Sequence, residues 1–327
     1  MSVIETSQPT VATPGGAPLT RKNWPIAAAM IQYPGVLPDG TTTQDQPAQA
    51  WADTLADVVD AGFTEVDPTD SWLRIADLEP ARLREFQDVV AAAGLTMPAI
   101  STARRSVVDP DHGEEYLAYG HRVIDTAATI GASIASFGFF RALNQAQKEA
   151  LWFWTAQGPV DSPEPEAWDL AVRRIRELGE HAAQVGIAVS LEMYEDTYLG
   201  TADSAVRFVR DVDHPAVGLN PDLGNLQRLH RPVERWEAMA EKTLPYANYW
   251  HVKNYLRTED ASTGTIVTAP IPMESGVINY RKVINLALGY GFRGAFCTEH
   301  YGGDGLSVSA TNREYIRRLL PVTTPRR

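Results

Sequence analysis

The chain has a single cysteine, Cys297, among its 327 residues. One cysteine excludes an internal disulfide framework and any cysteine-rich metal cluster. Positive charge is also scarce, because 29 lysines and arginines face 41 aspartates and glutamates, which gives a net charge of −12. This balance argues against a surface that binds nucleic acid or an anionic membrane. Cys297 lies on an apolar segment, so we expect it to be a small buried side chain.

Long hydrophobic runs are missing as well. No stretch approaches the roughly 18 apolar residues of a membrane-spanning helix. Residues 1–22 are rich in Thr, Pro, Gly and Ser, and they lack the basic start and apolar core of a signal peptide. We interpret this segment as a flexible N-terminal tail. We therefore expect a cytoplasmic protein with neither nucleic acid nor membrane among its partners.

A short pattern recurs through residues 23–327, which we interpret as one catalytic domain. A helical segment ends in glycine, and an apolar segment typical of a strand follows within a few residues. Glycine is favoured there because it adopts the left-handed conformation that closes a helix. The glycines in this position are Gly62, Gly94, Gly131, Gly186 and Gly291.

Eight strands are predicted by this pattern and by the apolar runs that open and continue it. They cover residues 27–33, 64–67, 96–100, 133–140, 188–192, 216–220, 247–252 and 294–299. Segments between them, such as 51–62 and 167–186, carry apolar residues at helical spacing. No GxGxxG motif follows the first strand, which argues against a dinucleotide-binding sheet. We therefore predict an α/β fold, a single (β/α)₈ TIM barrel.

Two insertions interrupt this rhythm. The first, residues 139–165, follows strand four and contains an aromatic cluster: Phe139, Phe140, Trp152, Phe153 and Trp154. Two interpretations stay open. The insertion is either an apolar cluster that covers the barrel end, or a functional surface, which would be an aromatic wall for a sugar or aryl group or a docking surface for another chain. The second insertion, residues 256–275, is polar, and we expect a mobile loop over the site.

The last four strands each end in one charged or imidazole residue: Glu192, Asp222, His251 and Glu299. Strand ends of a barrel converge on one mouth, so these side chains should lie close together. Three carboxylates and one imidazole suit Mn²⁺, Mg²⁺ or Co²⁺ rather than a structural zinc. Such a site supports removal of a proton next to a carbonyl group.

Further residues are candidates for roles around this site. Glu192 and Glu299 are the candidate acid and base, Lys253 could steady an oxyanion, and His300 could relay a proton. We expect a second group of residues, which lie near the ligands or in the first insertion, to contact the substrate: Tyr194, Asn220, Tyr301, Phe139, Trp152 and Trp154.

The four ligands, in this order on the last four strands, resemble the metal-binding set of the xylose-isomerase-like TIM barrels. Within that superfamily, the aromatic insertion and the ending TEHYGGDGLSVS at residues 298–309 look most like the catalytic α subunit of bacterial C-glycoside deglycosidases. The resemblance implies Mn²⁺, a small β subunit and elimination of the aglycone from a 3-oxo-glycoside. Some members use a histidine near the end of strand four, where this chain has none, so another group must act as base.

Other functions stay open at this point. A sugar isomerase or epimerase would use the same ligands on a smaller substrate. A non-catalytic barrel would bury carboxylates without a metal, which is costly. Phosphodiester cleavage would need a basic surface, which the charge balance disfavours. We expect a small sugar or glycoside substrate and an oligomeric assembly.

Overall fold

A computed structural model describes residues 18–323. The strands are β1 (Ile26–Ala29), β2 (Val66–Asp67), β3 (Ala99–Ser101), β4 (Ile134–Phe137), β5 (Ala188–Glu192), β6 (Val217–Asn220), β7 (Trp250–Val252), β8 (Asn254–Asp260), β9 (Thr265–Ile271) and β10 (Phe296–Thr298). The helices are α1 (Ala48–Asp60), α2 (Pro80–Ala92), α3 (Gly113–Ile130), α4 (Gln145–Glu149), α5 (Pro165–Val185), α6 (Ala202–Val212), α7 (Leu223–Gln227), α8 (Trp236–Thr243), α9 (Tyr280–Gly289) and α10 (Gly305–Leu319).

Eight parallel strands form a closed ring. They run β2-β1-β10-β7 on one side and β3-β4-β5-β6 on the other. Parallel bridges between Glu65 and Thr96 and between Leu219 and Ala247 join the two halves. Every strand of the ring is fully buried, as expected when helices cover a parallel sheet. The predicted TIM barrel is confirmed.

The glycines that we predicted to close helices all have positive φ, between 70° and 91°. Gly131 and Gly186 follow α3 and α5 directly and are the left-handed caps of those helices. Each turn delivers the chain to the next strand within a few residues, which is what sets the strand ends at one rim.

The barrel interior is a small cluster of its own, separate from the larger core between the strands and the helices. Its members are mostly alanines: Ala27, Ala29, Ala99, Ala188 and Ala295, with Ile134, Tyr249 and Cys297. The alanines leave room for Tyr249, which is completely buried. Cys297 is buried, as predicted.

The polar segment 256–275 is mostly an antiparallel hairpin rather than a loop, since β8 and β9 pair from Asn254–Ile271 to Asp260–Thr265. The hairpin alternates buried and exposed residues only weakly, which explains why the sequence did not indicate strands.

The predicted N-terminal tail falls largely on residues 1–17, outside the described residues. Of the remainder, Leu19 is buried and the Arg21 amide donates to the Pro321 carbonyl over 2.7 Å. Residues 18–22 thus lie against the C-terminal segment of the chain, just after α10. No helix in the described part of the chain combines the length and apolar character needed to cross a membrane.

Candidate metal centre

The four predicted ligands meet at one end of the barrel. Ligand atoms of Glu192, Asp222 and His251 all lie within 4.8 Å of one another. Glu299 joins them, because its Oε1 lies 3.0 Å from His251 Nδ1. Glu192 Oε2 is 3.5 Å from the same nitrogen. All four residues are buried, so the barrel concentrates three carboxylates around one imidazole.

Two asparagines hold three of these ligands in place. The Asn225 side chain donates from Nδ2 to Glu192 Oε1 over 2.8 Å, and the Asn225 backbone N–H donates to Asp222 Oδ1 over 3.1 Å. Asn220 Oδ1 accepts from the His251 amide over 2.7 Å. Asn220 is fully buried and fixes the β6–β7 edge; it is not among the residues that line the cavity, where we had expected it to contact substrate.

Lys253 lies deeper than its predicted role suggests. Its Nζ donates to both Asp222 and Glu299, and only 2% of the residue is exposed. It therefore compensates two ligands from behind rather than lining the cavity. This lysine follows β7, where the alternation of side chains returns it to the same side as His251.

Burial and neighbouring charges raise the pKa of some residues of the cluster and lower that of Glu299. Burial raises the pKa of Glu192 to about 7, partly opposed by His251. Burial also acts to raise the pKa of Glu299, but Lys253 and His251 outweigh it and hold that pKa well below its usual range. Burial would lower the pKa of His251, yet Glu299 and Glu192 raise it well above the ordinary value. Asp222 has its pKa raised, chiefly by burial.

A chain of hydrogen bonds fixes the imidazole. Ser101 Oγ donates to Asp67 Oδ2 over 2.7 Å, and the same oxygen lies 3.1 Å from His251 Nε2. Tyr249 also donates to Asp67 Oδ2, over 2.6 Å. Because the Ser101 proton is directed at Asp67, its oxygen is left to accept from His251 Nε2. In neutral His251 the proton therefore sits on Nε2, and the Nδ1 lone pair faces Glu192 and Glu299.

These observations fit a divalent cation. His251 Nδ1 has no hydrogen-bond partner among the described residues, although carboxylate oxygens approach it within 3.0 to 3.5 Å. An imidazole nitrogen left free beside three carboxylates is the donor set expected for Mn²⁺, Mg²⁺ or Co²⁺. Glu192, Asp222, His251 and Glu299 would hold the ion.

We predict that Ser101→Ala weakens metal binding by about 10- to 100-fold, the usual cost of losing a group that orients a ligand. Mn²⁺ titration by calorimetry measures it. Ser136→Ala is the matched control, because Ser136 pairs with Ser101 across β3 and β4 and its buried hydroxyl has no partner among the described residues. Equal affinity of the two variants would contradict the role of the Asp67–Ser101–His251 chain.

A cavity of about 460 Å³ opens above three of the ligands, Glu192, His251 and Glu299. Four aromatic residues line one side of it, and we call them the aromatic wall: Phe140, Phe153, Tyr194 and Tyr301. Phe140 packs edge-on against Tyr194, and Phe153 against Tyr301, with ring centroids 5.0 and 5.9 Å apart. The predicted substrate contacts Tyr194 and Tyr301 thus lie at the cavity.

A buried ion pair supports the wall from behind. Arg228 Nη2 donates to both carboxylate oxygens of Glu195, over 3.0 and 2.9 Å, and neither side chain is more than 4% exposed. The Arg228 guanidinium lies 4.9 to 5.8 Å from four ring centroids, those of Phe153, Trp154, Tyr194 and Tyr301. It is placed to fix the position of each ring.

The other predicted contacts lie elsewhere. Trp152 and Trp154 stack on each other at 5.1 Å, and Trp154 packs on Tyr301 behind the wall. Phe139 is buried against Tyr198 and Phe208, because successive residues after β4 point to opposite sides. The insertion thus forms a buried aromatic cluster and, through Phe140 and Phe153, one side of the cavity.

His300 is half-buried, and it is not among the described residues that line the cavity. Burial lowers its pKa. Sequence reasoning also missed Asp67 and Ser101, which end β2 and β3 on the opposite half of the rim. The signal was present for Asp67, an acidic residue at the end of an apolar segment.

Residues 55–320 match the family model described as xylose isomerase-like TIM barrel. The chain belongs to this family. A solved member, a xylose isomerase-like TIM barrel protein from Mycobacterium smegmatis in complex with magnesium, is 51% identical, with a TM-score of 0.89. The alignment covers 92% of this chain and 98% of that one.

More distant relatives have named activities. A 3-dehydroshikimate dehydratase from Bacillus anthracis is 27% identical over 171 residues, which are 46% of this chain and 59% of the dehydratase. The D-allulose 3-epimerase from Methylomonas sp. shares the fold, with a TM-score of 0.66 at 15% identity over 93% of this chain and all of the epimerase.

Proposed function

We propose that this chain is a divalent-metal-dependent sugar enzyme that removes a proton next to a carbonyl group. The observation that carries the proposal is the position of Glu192, His251 and Glu299 at the floor of the cavity, with Asp222 directly beneath. When bound there, Mn²⁺, Mg²⁺ or Co²⁺ would polarise the carbonyl and stabilise the negative charge that forms on its oxygen. The related magnesium complex supports the choice of ion class.

The protein groups divide the proton chemistry between them. Glu192 is the ligand carboxylate at the cavity that Lys253 does not contact, and its Oε1 is occupied by Asn225. Its Oε2 is therefore the oxygen best placed to take the α-proton. Lys253 favours the ionised forms of Glu299 and Asp222. At Glu299 its charge helps to outweigh burial, whereas at Asp222 burial still raises the pKa. Tyr301 and Phe153 line the side of the cavity, where their rings would shield the reacting carbon from water.

Within this chemistry we favour a lyase that acts on 3-oxo-glycosides, as the catalytic α subunit of a C-glycoside deglycosidase. Removal of the proton at carbon 2 gives an enolate, whose electron pair expels the aglycone from carbon 1. The bond to carbon 1 breaks, a double bond forms between carbons 1 and 2, and the aglycone takes up a proton. The aromatic wall supports this choice, because a flat aglycone packs favourably against Phe140 and Tyr194.

An isomerase or epimerase of small sugars is the second candidate. The same ligands would serve it, and the shared fold with D-allulose 3-epimerase favours it. The two functions differ in what happens to the enolate: an epimerase returns a proton to the same carbon, whereas a lyase loses a leaving group.

The test is turnover of a 3-oxo C-glycoside by the Mn²⁺-loaded chain, alone and co-expressed with a small neighbouring subunit. We expect aglycone release that EDTA stops and Mn²⁺ restores. Exchange of a ketose α-proton with solvent deuterium, without aglycone release, would instead assign the epimerase or isomerase. If protein that is shown to bind Mn²⁺ catalyses neither reaction, the proposal is refuted.

A further inference from the structure

Three arginines line the cavity of this acidic protein: Arg74, Arg104 and Arg105. Arg74 Nε and Arg105 Nη2 both pair with Asp77 Oδ2, over 3.1 and 3.2 Å. Within residues 18–323, Arg104 forms no ion pair with a carboxylate. Its single hydrogen bond in that range runs from Nη1 to the Arg141 carbonyl, at a long 3.4 Å. The cavity therefore contains one guanidinium without a counter-ion.

The backbone of Arg104 is strained. Its φ of 58° lies in the left-handed region, which glycine adopts freely and arginine does not. Its guanidinium carbon lies 5.0 Å from the Phe153 ring centroid and 5.3 Å from that of Tyr194. The two rings hold the guanidinium at the aromatic wall and help to offset the backbone strain. Such strain is commonest where a side chain must be held for a ligand.

The other polar groups near Arg104 do not satisfy it. Glu192 and Glu299 belong to the metal centre, and Asp70 accepts from Tyr119 Oη over 2.8 Å. The buried Tyr194 hydroxyl, in contrast, has no hydrogen-bond partner in the described part of the chain. A buried hydroxyl without a partner is costly unless a ligand satisfies it. The partly buried Arg104 guanidinium beside the Tyr194 ring offers a charged donor to the same ligand.

We propose that Arg104 binds a carboxylate of the substrate, with the Tyr194 hydroxyl as a second donor, so that the natural substrate is an acid. The planar fork of a guanidinium matches a carboxylate in two parallel hydrogen bonds. Because Phe153 and Tyr194 flank the guanidinium, an aryl group that bears the carboxylate fits this wall. The inference rests on the proposed function, since it assigns the acid group to the cavity in which the reaction occurs.

Binding of para-fluorobenzoate and para-fluorobenzamide, followed by fluorine NMR, tests this without turnover. The two probes have nearly the same shape and differ in charge. We expect the benzoate to bind about tenfold or more tightly, as a charged hydrogen-bonded pair would give. Arg104→Gln should abolish that preference, and Arg104→Lys should restore part of it. Arg84→Gln, which removes an exposed arginine of α2, controls for net charge.

A carboxylate could also bind at the metal centre, so the titrations are run with Mn²⁺ and with EDTA. Loss of the preference in Arg104→Gln under both conditions supports the proposal. Equal binding of the two probes, no binding of either, or a preference that Arg104→Gln leaves unchanged overturns it. Tighter binding of para-fluorophenyl phosphate supports an anion site and assigns a phosphate in place of the carboxylate. Failure of Mn²⁺ to bind at all would count against the proposed function alone.

Discussion

Replacing Glu299 with Gln is expected to lower metal-dependent turnover by at least about a thousandfold, or roughly 4 kcal/mol of transition-state stabilisation. Glu299 approaches His251 Nδ1 with Oε1 and accepts from Lys253 with Oε2. A glutamine amide can offer an oxygen to only one of these sites and turns an N–H toward the other. The measurement is the rate of substrate consumption at saturating Mn²⁺, beside a Mn²⁺ titration.

Glu274→Gln is the matched control, because Glu274 is an exposed partner of Arg318 and is not among the residues that line the cavity. It should keep full activity, and the circular dichroism spectra of both variants should match the wild type. Normal turnover by a correctly folded Glu299→Gln variant would exclude the carboxylate-held metal from the reaction.

The second large effect is on stability. Arg228→Met should destabilise the protein by about 3–5 kcal/mol, the usual result of removing one partner of a buried ion pair. The substitution leaves the Glu195 carboxylate, 4% exposed, without the guanidinium nitrogen that donates to both of its oxygens. It also removes the cation among the rings of the aromatic wall. The urea midpoint and the thermal midpoint of unfolding measure the change.

The double variant Arg228→Met with Glu195→Gln separates the two causes. It removes both charges, so most of the stability should return, while the rings still lack their cation. We therefore expect a nearly normal unfolding midpoint but weaker binding of aryl probes. A double variant as unstable as the single one would show that packing, and not the unpaired charge, causes the loss.

The sequence predicted those parts of the fold and site that depend on local patterns. Gly131 and Gly186 mark helix ends because their conformation excludes most other residues. Glu192, Asp222 and His251 stand out because each lies in or just after an apolar strand segment, where a charge is costly without a partner. In the structure Glu192 ends β5, His251 lies inside β7 and Asp222 follows β6 by two residues. Neither inference needs knowledge of contacts between distant segments.

What the sequence could not predict depends on such contacts. Ser101 looks ordinary at the end of β3, and only the closed barrel brings it to His251, 150 residues away. Phe139 and Phe140 are adjacent and chemically identical, so nothing in the pattern tells which one reaches the cavity. The strain at Arg104 is likewise invisible, since an arginine in a polar turn carries no mark of its backbone conformation.

Tyr249 connects two properties that protein engineers usually treat as independent. Its ring fills the space that the alanines leave inside the barrel, and its hydroxyl donates to the Asp67 that orients Ser101. A change of packing in the lumen is therefore transmitted, through three hydrogen bonds, to the imidazole that would bind the ion. Efforts to make this barrel more heat-resistant by refilling its interior would at the same time retune its affinity for metal.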